Sequence, residues 1–205
     1  MTLRIPVLSY ENLRGMAKSF LLEHNADGSI PVPIEQIVEF DFGTNIIPIP
    51  GLQRVHDVDA FISNDLKSLM VDLGILESRS PNRYRFSLAH ELAHAVLHRD
   101  VFDRLRFSDI AEWKAQIMGL SEADREWLEW QAYSFAGLIL VPGETLKERL
   151  HEAVQLAAMQ GVVVQDAPDP AKDYICTWLG RQFEVSAQVI EKRLDKDGLW
   201  PPTGS

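Results

Sequence analysis

Arg85-Phe86-Ser87-Leu88-Ala89-His90-Glu91-Leu92-Ala93-His94-Ala95-Val96-Leu97-His98 is the stretch from which the rest of the chain is read. Leu88, Leu92, Ala95 and Val96 recur at three- and four-residue intervals, the spacing of one apolar helix face. A helix is therefore expected from about Ser87 to His98, with Ser87 as its N-cap. His90 and His94 stand four apart, so both imidazoles leave the same side and can offer nitrogens to one tetrahedral ion. Glu91 follows one position later, about a quarter-turn round the helix, beside the position such an ion leaves open. Zinc lowers the pKa of a bound water from about 15.7 to about 7, and a neighbouring carboxylate can take the proton as the water attacks a carbonyl. The segment thus points to zinc-dependent peptide hydrolysis with Glu91 as general base. The competing reading is two core histidines hydrogen-bonded on a buried helix, but three polar groups sharing one sector of an otherwise apolar helix need a buried purpose.

A catalytic zinc takes three protein ligands and a water, so one donor must come from elsewhere. The candidates are His98, Glu112, Glu126 and Glu129. His98 lies two helical steps from His90, rotated by about 80° and carried about 12 Å along the axis, too far for one ion to join all three. It is expected instead as a partly exposed histidine near a helix C-terminus, favoured there by the dipole. Glu129 has apolar neighbours, Leu128, Ala132, Phe135 and Ala136, which imply burial, and an uncompensated buried carboxylate is costly. Glu112, Glu122 and Glu126 read as acids on a solvated face.

Working outward, Leu13, Met16, Ala17, Phe20 and Leu21 mark an amphipathic helix ending at Asp27-Gly28, and Pro33 to Phe40 a short second one. Ile46 to Ile49, Ala60 to Ile62 and Leu66 to Val71 are strand-like, with Asn64-Asp65 as a hairpin turn, predicting a small, mainly antiparallel sheet. Ser78 to Asn82 reads as a loop. A helix capped by Ser121, with Asp124 three residues on, should run to Leu140 and stop at Pro142-Gly143. Another helix is expected from Glu144 to about Met159, followed by a linker over Gln165 to Pro170.

Arg85 to His98 resembles the active-site helix of ImmA/IrrE-type metallopeptidases, gluzincin-like enzymes with the His-Glu-x-x-His pattern. The block Glu129-Trp130-Gln131-Ala132-Tyr133-Ser134-Phe135-Ala136-Gly137-Leu138-Ile139-Leu140-Val141-Pro142 is similar to that family's second helix, whose leading glutamate is the third zinc ligand. The resemblance, carried from about Ile30 to Pro142, thus implies one catalytic Zn2+ held by His90, His94 and Glu129, with Glu91 catalytic. Two departures stand out: Tyr133 where asparagine is common, and Val141 where methionine is usual. Tyr133 is read mainly as packing on the first helix, with a phenol directed at a substrate oxyanion as the alternative. The implied fold class is α+β: a mostly helical zincin-like peptidase domain over 1–160, then a C-terminal helical, helix-turn-helix-like segment over 161–205. Relatives often cleave helix-turn-helix repressors, so the implied substrate is a protein partner of that kind.

Within the C-terminal segment, two helices flank Phe183-Glu184-Val185-Ser186. Lys192 and Arg193 on the second helix lend some basic character, but Glu184, Glu191, Asp195 and Asp197 dilute it, so partner docking is favoured over DNA binding. The whole-chain charge of −10 argues the same way, because it repels phosphate backbones. With 46% hydrophobic residues in 205, the chain can build its own core; no apolar run approaches the roughly 20 residues needed to span a bilayer, so no membrane role is expected. The N-terminus lacks a secretory pattern, and the single cysteine, Cys176, suits a reducing cytoplasm. A non-catalytic regulatory protein, acting through protein or DNA contact, is the alternative from a different class.

Overall fold

In the computed structural model, residues 5–78, 81–105, 107, 109–161, 164 and 168–202 are described. Ser9 opens the first helix by accepting from Asn12 N while Asn12 Oδ1 accepts from Ser9 N, so α1 (Tyr10–His24) begins with a complete capping box. Leu13, Ala17 and Phe20 form its buried stripe, as their spacing predicts. α2 (Ile34–Gln36) runs on into a π-type turn (Ile37–Asp41), and together they bury Ile34, Ile37 and Val38.

Strands β1 (Asn45–Ile49), β2 (Ala60–Ile62) and β3 (Ser68–Asp72) form a sheet in the order β1-β3-β2. The small sheet expected from the sequence is present, and it is mixed. β2 and β3 are an antiparallel hairpin around Asn64-Asp65, while β1 runs parallel to β3 with Asn45 opposite Ser68 and Ile49 opposite Asp72. A parallel pair needs a crossover rather than a tight turn. Here α3 (Leu52–His56) and β2 supply it. Pro48 is tolerated because β1 is an edge strand, where a missing N–H breaks no central ladder.

Asp72 caps α4 (Leu73–Leu76) through Gly74 N and Ile75 N, and the chain then enters α5 (Pro81–Leu97). This helix starts at Pro81, not at Ser87, and Ser87 is buried within it instead of capping it. Pro81 suits a first turn, where its missing N–H has no helical partner to lose. α6 (Arg99–Phe102) and α7 (Ile110–Met118) follow, neither of them read from the sequence. Ser121 caps α8 (Glu122–Leu140) as expected, accepting from Asp124 N at 3.1 Å. α9 (Gly143–Met159), α10 (Pro168–Phe183) and α11 (Ala187–Lys196) complete the chain. Of the expected linker, Gln165 to Ala167 lie outside the described residues, and Pro168 to Pro170 instead form the first turn of α10.

The architecture is α+β and mostly helical. α5 and α8 lie side by side at its centre, with α1 and α11 on α8 and with β2 and β3 on α5. Leu88, Ala89, Leu92 and Ala93 of α5 share one buried cluster with Ala132, Phe135, Ala136 and Ile139 of α8. Each leucine so buried contributes about 1.5–3 kcal/mol, which holds the two helices in fixed register. The same cluster reaches from Leu13 to Leu194, so α10 and α11 pack into it as well. Gly180 allows the α10–α11 turn to close, because a Cβ there would lie 2.8 Å from the Val185 carbonyl oxygen. Among the described residues no helix is long and apolar enough to cross a membrane.

Candidate metal centre

The packing of α5 on α8 brings together residues 35 to 39 positions apart in sequence, His90 and His94 from one helix and Glu129 from the other. His90 Nε2 lies 3.2 Å from His94 Nε2 and 3.1 Å from Glu129 Oε2, and His94 Nε2 lies 3.8 Å from Glu129 Oε1. Donors about 2.0–2.1 Å from a tetrahedral ion stand roughly 3.3 Å from one another; the His90–His94 and His90–Glu129 separations are near that spacing, and one ligand atom from each of the three residues lies within 4.8 Å of the other two. The donor set also fits: two imidazoles and a carboxylate, open on a fourth side towards a cleft. Among the described residues this is the group of histidine and acidic side chains that converges in this way.

The proton positions on His94 follow from its neighbours. Gln131 Nε2 donates to the Pro6 carbonyl at 2.7 Å, which leaves Gln131 Oε1 to face His98 Nε2 at 3.3 Å. His98 Nε2 must therefore carry the hydrogen, because an amide oxygen can only accept. Burial holds the His98 pKa down at about 4, so its other nitrogen, Nδ1, is an acceptor. His94 Nδ1, 3.0 Å away, then donates to it. The lone pair of His94 is left on Nε2, the atom aimed at His90 and Glu129. His98 is 1% exposed and begins α6, so the partly exposed histidine expected from the sequence is instead fully enclosed between His94 and Gln131. Gln131 and Pro6 were not singled out in the sequence; only the tertiary contact between α8 and the N-terminal segment reveals them.

Glu91 is buried and its Oε2 accepts from Ile62 N at 3.0 Å, so the edge strand β2 fixes the carboxylate. Burial pushes its pKa up to about 8, against the pull of His90. A divalent cation alongside acts in the opposite sense and favours the carboxylate. At Glu129 burial is outweighed by the His90 hydrogen bond and the histidine charges, and its carboxyl is held at about 2. Burial lowers His90, but its hydrogen bond to Glu129 and the charges of Glu91 and Glu129 win and raise it; burial and the His90 charge drive His94 well below its ordinary value. Glu129 is less enclosed than its neighbours imply: Leu128, Ala132, Phe135 and Ala136 are buried, yet its own side chain is 44% exposed at the cleft. Glu126 is exposed, in keeping with a solvated-face acid.

The cleft over these residues has a volume of about 710 Å³ and is walled by α5, α8, the β2 edge and the start of α11, where Ser186 and Val189 reach it. Arg83 is locked on Asp59 by two 2.7 Å hydrogen bonds at the rim. Tyr133 packs its ring 4.6 Å from Phe86 of α5 and remains 45% exposed, so it both packs and borders the cleft. Arg193, counted in the sequence as a basic residue of the second helix, is 4% exposed. It donates to the carbonyls of Gly137 and Val141 and to Asp197, satisfying the end of α8, and so adds nothing to surface charge.

No curated protein is matched by this sequence. Among solved structures, a Mycobacterium tuberculosis transcriptional regulator shares the fold, with a TM-score of 0.54 at 21% identity over 90% of this chain. This chain spans 46% of that regulator's length. The sequence profile of the peptidase M78 family, described as the IrrE N-terminal-like domain, matches residues 64–195. That match begins later than the resemblance read from the motifs and extends further, through α10 and α11. It takes in the helices that carry His90, His94 and Glu129 and well over half of the chain, which therefore belongs to the IrrE N-terminal-like, peptidase M78 family.

Proposed function

We propose that this protein is a cytoplasmic zinc-dependent endopeptidase that cuts a protein partner, a helix-turn-helix repressor. The observation that carries the reading is the convergence of His90, His94 and Glu129 donor atoms to within 4.8 Å of one another, with the Glu91 carboxylate fixed beside them in an open cleft. His90, His94 and Glu129 would hold the zinc. Zinc bound there lowers the pKa of a water ligand and polarises a substrate carbonyl. Glu91 accepts the attacking water's proton on Oε1, the oxygen not engaged by Ile62, and passes it to the leaving nitrogen as the C–N bond breaks. His98 and Gln131 keep the His94 lone pair directed at the site. Residues 1–160 serve as the peptidase unit, and 161–205 form a helical segment docked on it that completes the cleft wall through Ser186 and Val189. The repressor as substrate is carried over from the family, and the solved structure of similar fold is itself a transcriptional regulator.

The test is a set of variants measured for bound metal and for cleavage of the regulator encoded nearest to this protein, with fragments read by mass. Glu91→Gln should keep stoichiometric zinc and lose cleavage by about 100- to 10,000-fold. His90→Ala, His94→Ala and Glu129→Ala should lose the metal. Full activity in Glu91→Gln would falsify the mechanism, and metal-free protein that still binds the regulator would favour the non-catalytic alternative.

A further inference from the structure

Next to the cleft lies a second groove, of about 470 Å³, which shares Phe86, Glu129, Tyr133 and Val189 with it as common walls. Four aromatic side chains wall it: Tyr10 from α1, Phe86 from α5, and Trp130 and Tyr133 from α8. Its outer edge is α11, which presents Lys192 and Lys196, one helical turn apart. Lys192 Nζ lies 4.9 Å from the Tyr133 ring centre, and Lys196 Nζ lies 5.4 Å from that of Trp130 and 5.8 Å from that of Tyr10.

The acids of α11 and of the turn after it are committed elsewhere. Glu191 and Asp195 reach Lys172, and Asp197 binds Arg193 and Arg14 and accepts from the Tyr10 hydroxyl. Among the described residues neither Lys192 nor Lys196 has an ion pair, although the chain as a whole carries a charge of −10. Two exposed ammonium groups held over aromatic faces therefore border an apolar trough that has Glu129 in its wall and adjoins the cleft. Asp57 and Asp59 line the cleft and not the groove, and Asp59 is paired with Arg83.

We infer that this groove is a substrate-selecting subsite, which takes an internal peptide segment where an aromatic or large apolar residue stands next to an Asp or Glu. The apolar side chain fills the trough between Phe86, Trp130 and Tyr133, and the carboxylate lies against Lys192 and Lys196. The inference rests on the peptidase reading, since it gives the groove a peptide occupant.

Binding and cleavage are measured separately on the zinc-loaded full chain. Fluorescent, C-terminally amidated peptide pools carry Phe-Glu, Phe-Gln, Phe-Lys or Ala-Glu at their centre, so that no terminal carboxylate is present. Anisotropy with the Glu91→Gln variant should show Phe-Glu bound roughly tenfold more tightly than Phe-Lys, with the difference shrinking as salt is raised. Lys192→Glu/Lys196→Glu in that background should abolish or invert the charge preference while its melting temperature is retained. A Lys192→Arg/Lys196→Arg control should preserve the preference. Equal binding of Phe-Glu and Phe-Lys, a preference that survives charge reversal, or no binding of any pool overturns the subsite. Cleavage of the same pools by the unsubstituted protein reports on the peptidase reading: charge-selective binding without hydrolysis defeats that reading alone, and hydrolysis indifferent to the central residues defeats the subsite alone.

Discussion

His94 has its two ring nitrogens committed in opposite directions, Nε2 to the centre and Nδ1 to His98, and the direction of every bond behind it traces back to one backbone carbonyl at Pro6. Gln131→Leu keeps the volume and removes the amide, so it frees His98 to adopt the other tautomer. Zinc affinity, read by competition with a chromogenic chelator, should fall by about 10- to 100-fold, the usual consequence of losing a group that orients a metal-binding histidine. Unchanged affinity would remove Gln131 from the site. Glu91 makes a second residue-level prediction. Its folded carboxyl titrates at about 8 against an ordinary 4.5, so between those values the folded state holds a proton that the unfolded chain has released. Stability from this group therefore falls as pH rises through that interval. In chelator-treated protein, urea melts of Glu91→Gln should show it gaining on the unsubstituted chain as pH increases across the same window, and a pH-independent difference would contradict the burial assigned to Glu91.

The central element is the α5–α8 pair, and α11 joins it through the buried Val189, Ile190 and Leu194 and through one buried arginine. Arg193 donates to the Val141 carbonyl, which the end of α8 leaves without an internal partner, and to the Gly137 carbonyl, which also accepts from Val141 N, and it binds Asp197 just beyond its own helix. Arg193→Met fills the volume but strands the Val141 oxygen, and it should cost about 1–3 kcal/mol in chemical denaturation. Because α11 borders both the cleft and the aromatic groove, the same variant should also weaken peptide binding. A variant as stable as its parent would show that water replaces the guanidinium at no cost. The HTH-like pair α10–α11 was legible from Phe183-Glu184-Val185-Ser186 and its flanking apolar residues, but the inward direction of Arg193 was not. Local spacing places Arg193 on the helix, while the neighbour that claims it is α8.

For the whole molecule, a ligand that binds only the folded state stabilises it in proportion to its excess over the dissociation constant. Zinc at about 1,000-fold excess is worth roughly 4 kcal/mol, so chelator-stripped protein should melt several degrees higher on zinc addition. Glu129→Ala should lose most of that shift in differential scanning fluorimetry; an equal shift in the variant would place the metal elsewhere. The sequence by itself determined the helix with His90, Glu91 and His94, the Ser121 cap, the buried stripe of α1 and the strand segments, because each depends on periodicity or on contacts a few residues long. It also carried the family, through two blocks of residues. Only the tertiary structure decided that β1 pairs parallel to β3, since alternation along a strand reports which face is buried and not which way the neighbour runs. The enclosure of His98 and the half-exposed setting of Glu129 were likewise beyond local pattern. Each depends on which distant segment packs there, the N-terminal segment at Pro6 behind His98 through Gln131, and an open cleft in front of Glu129.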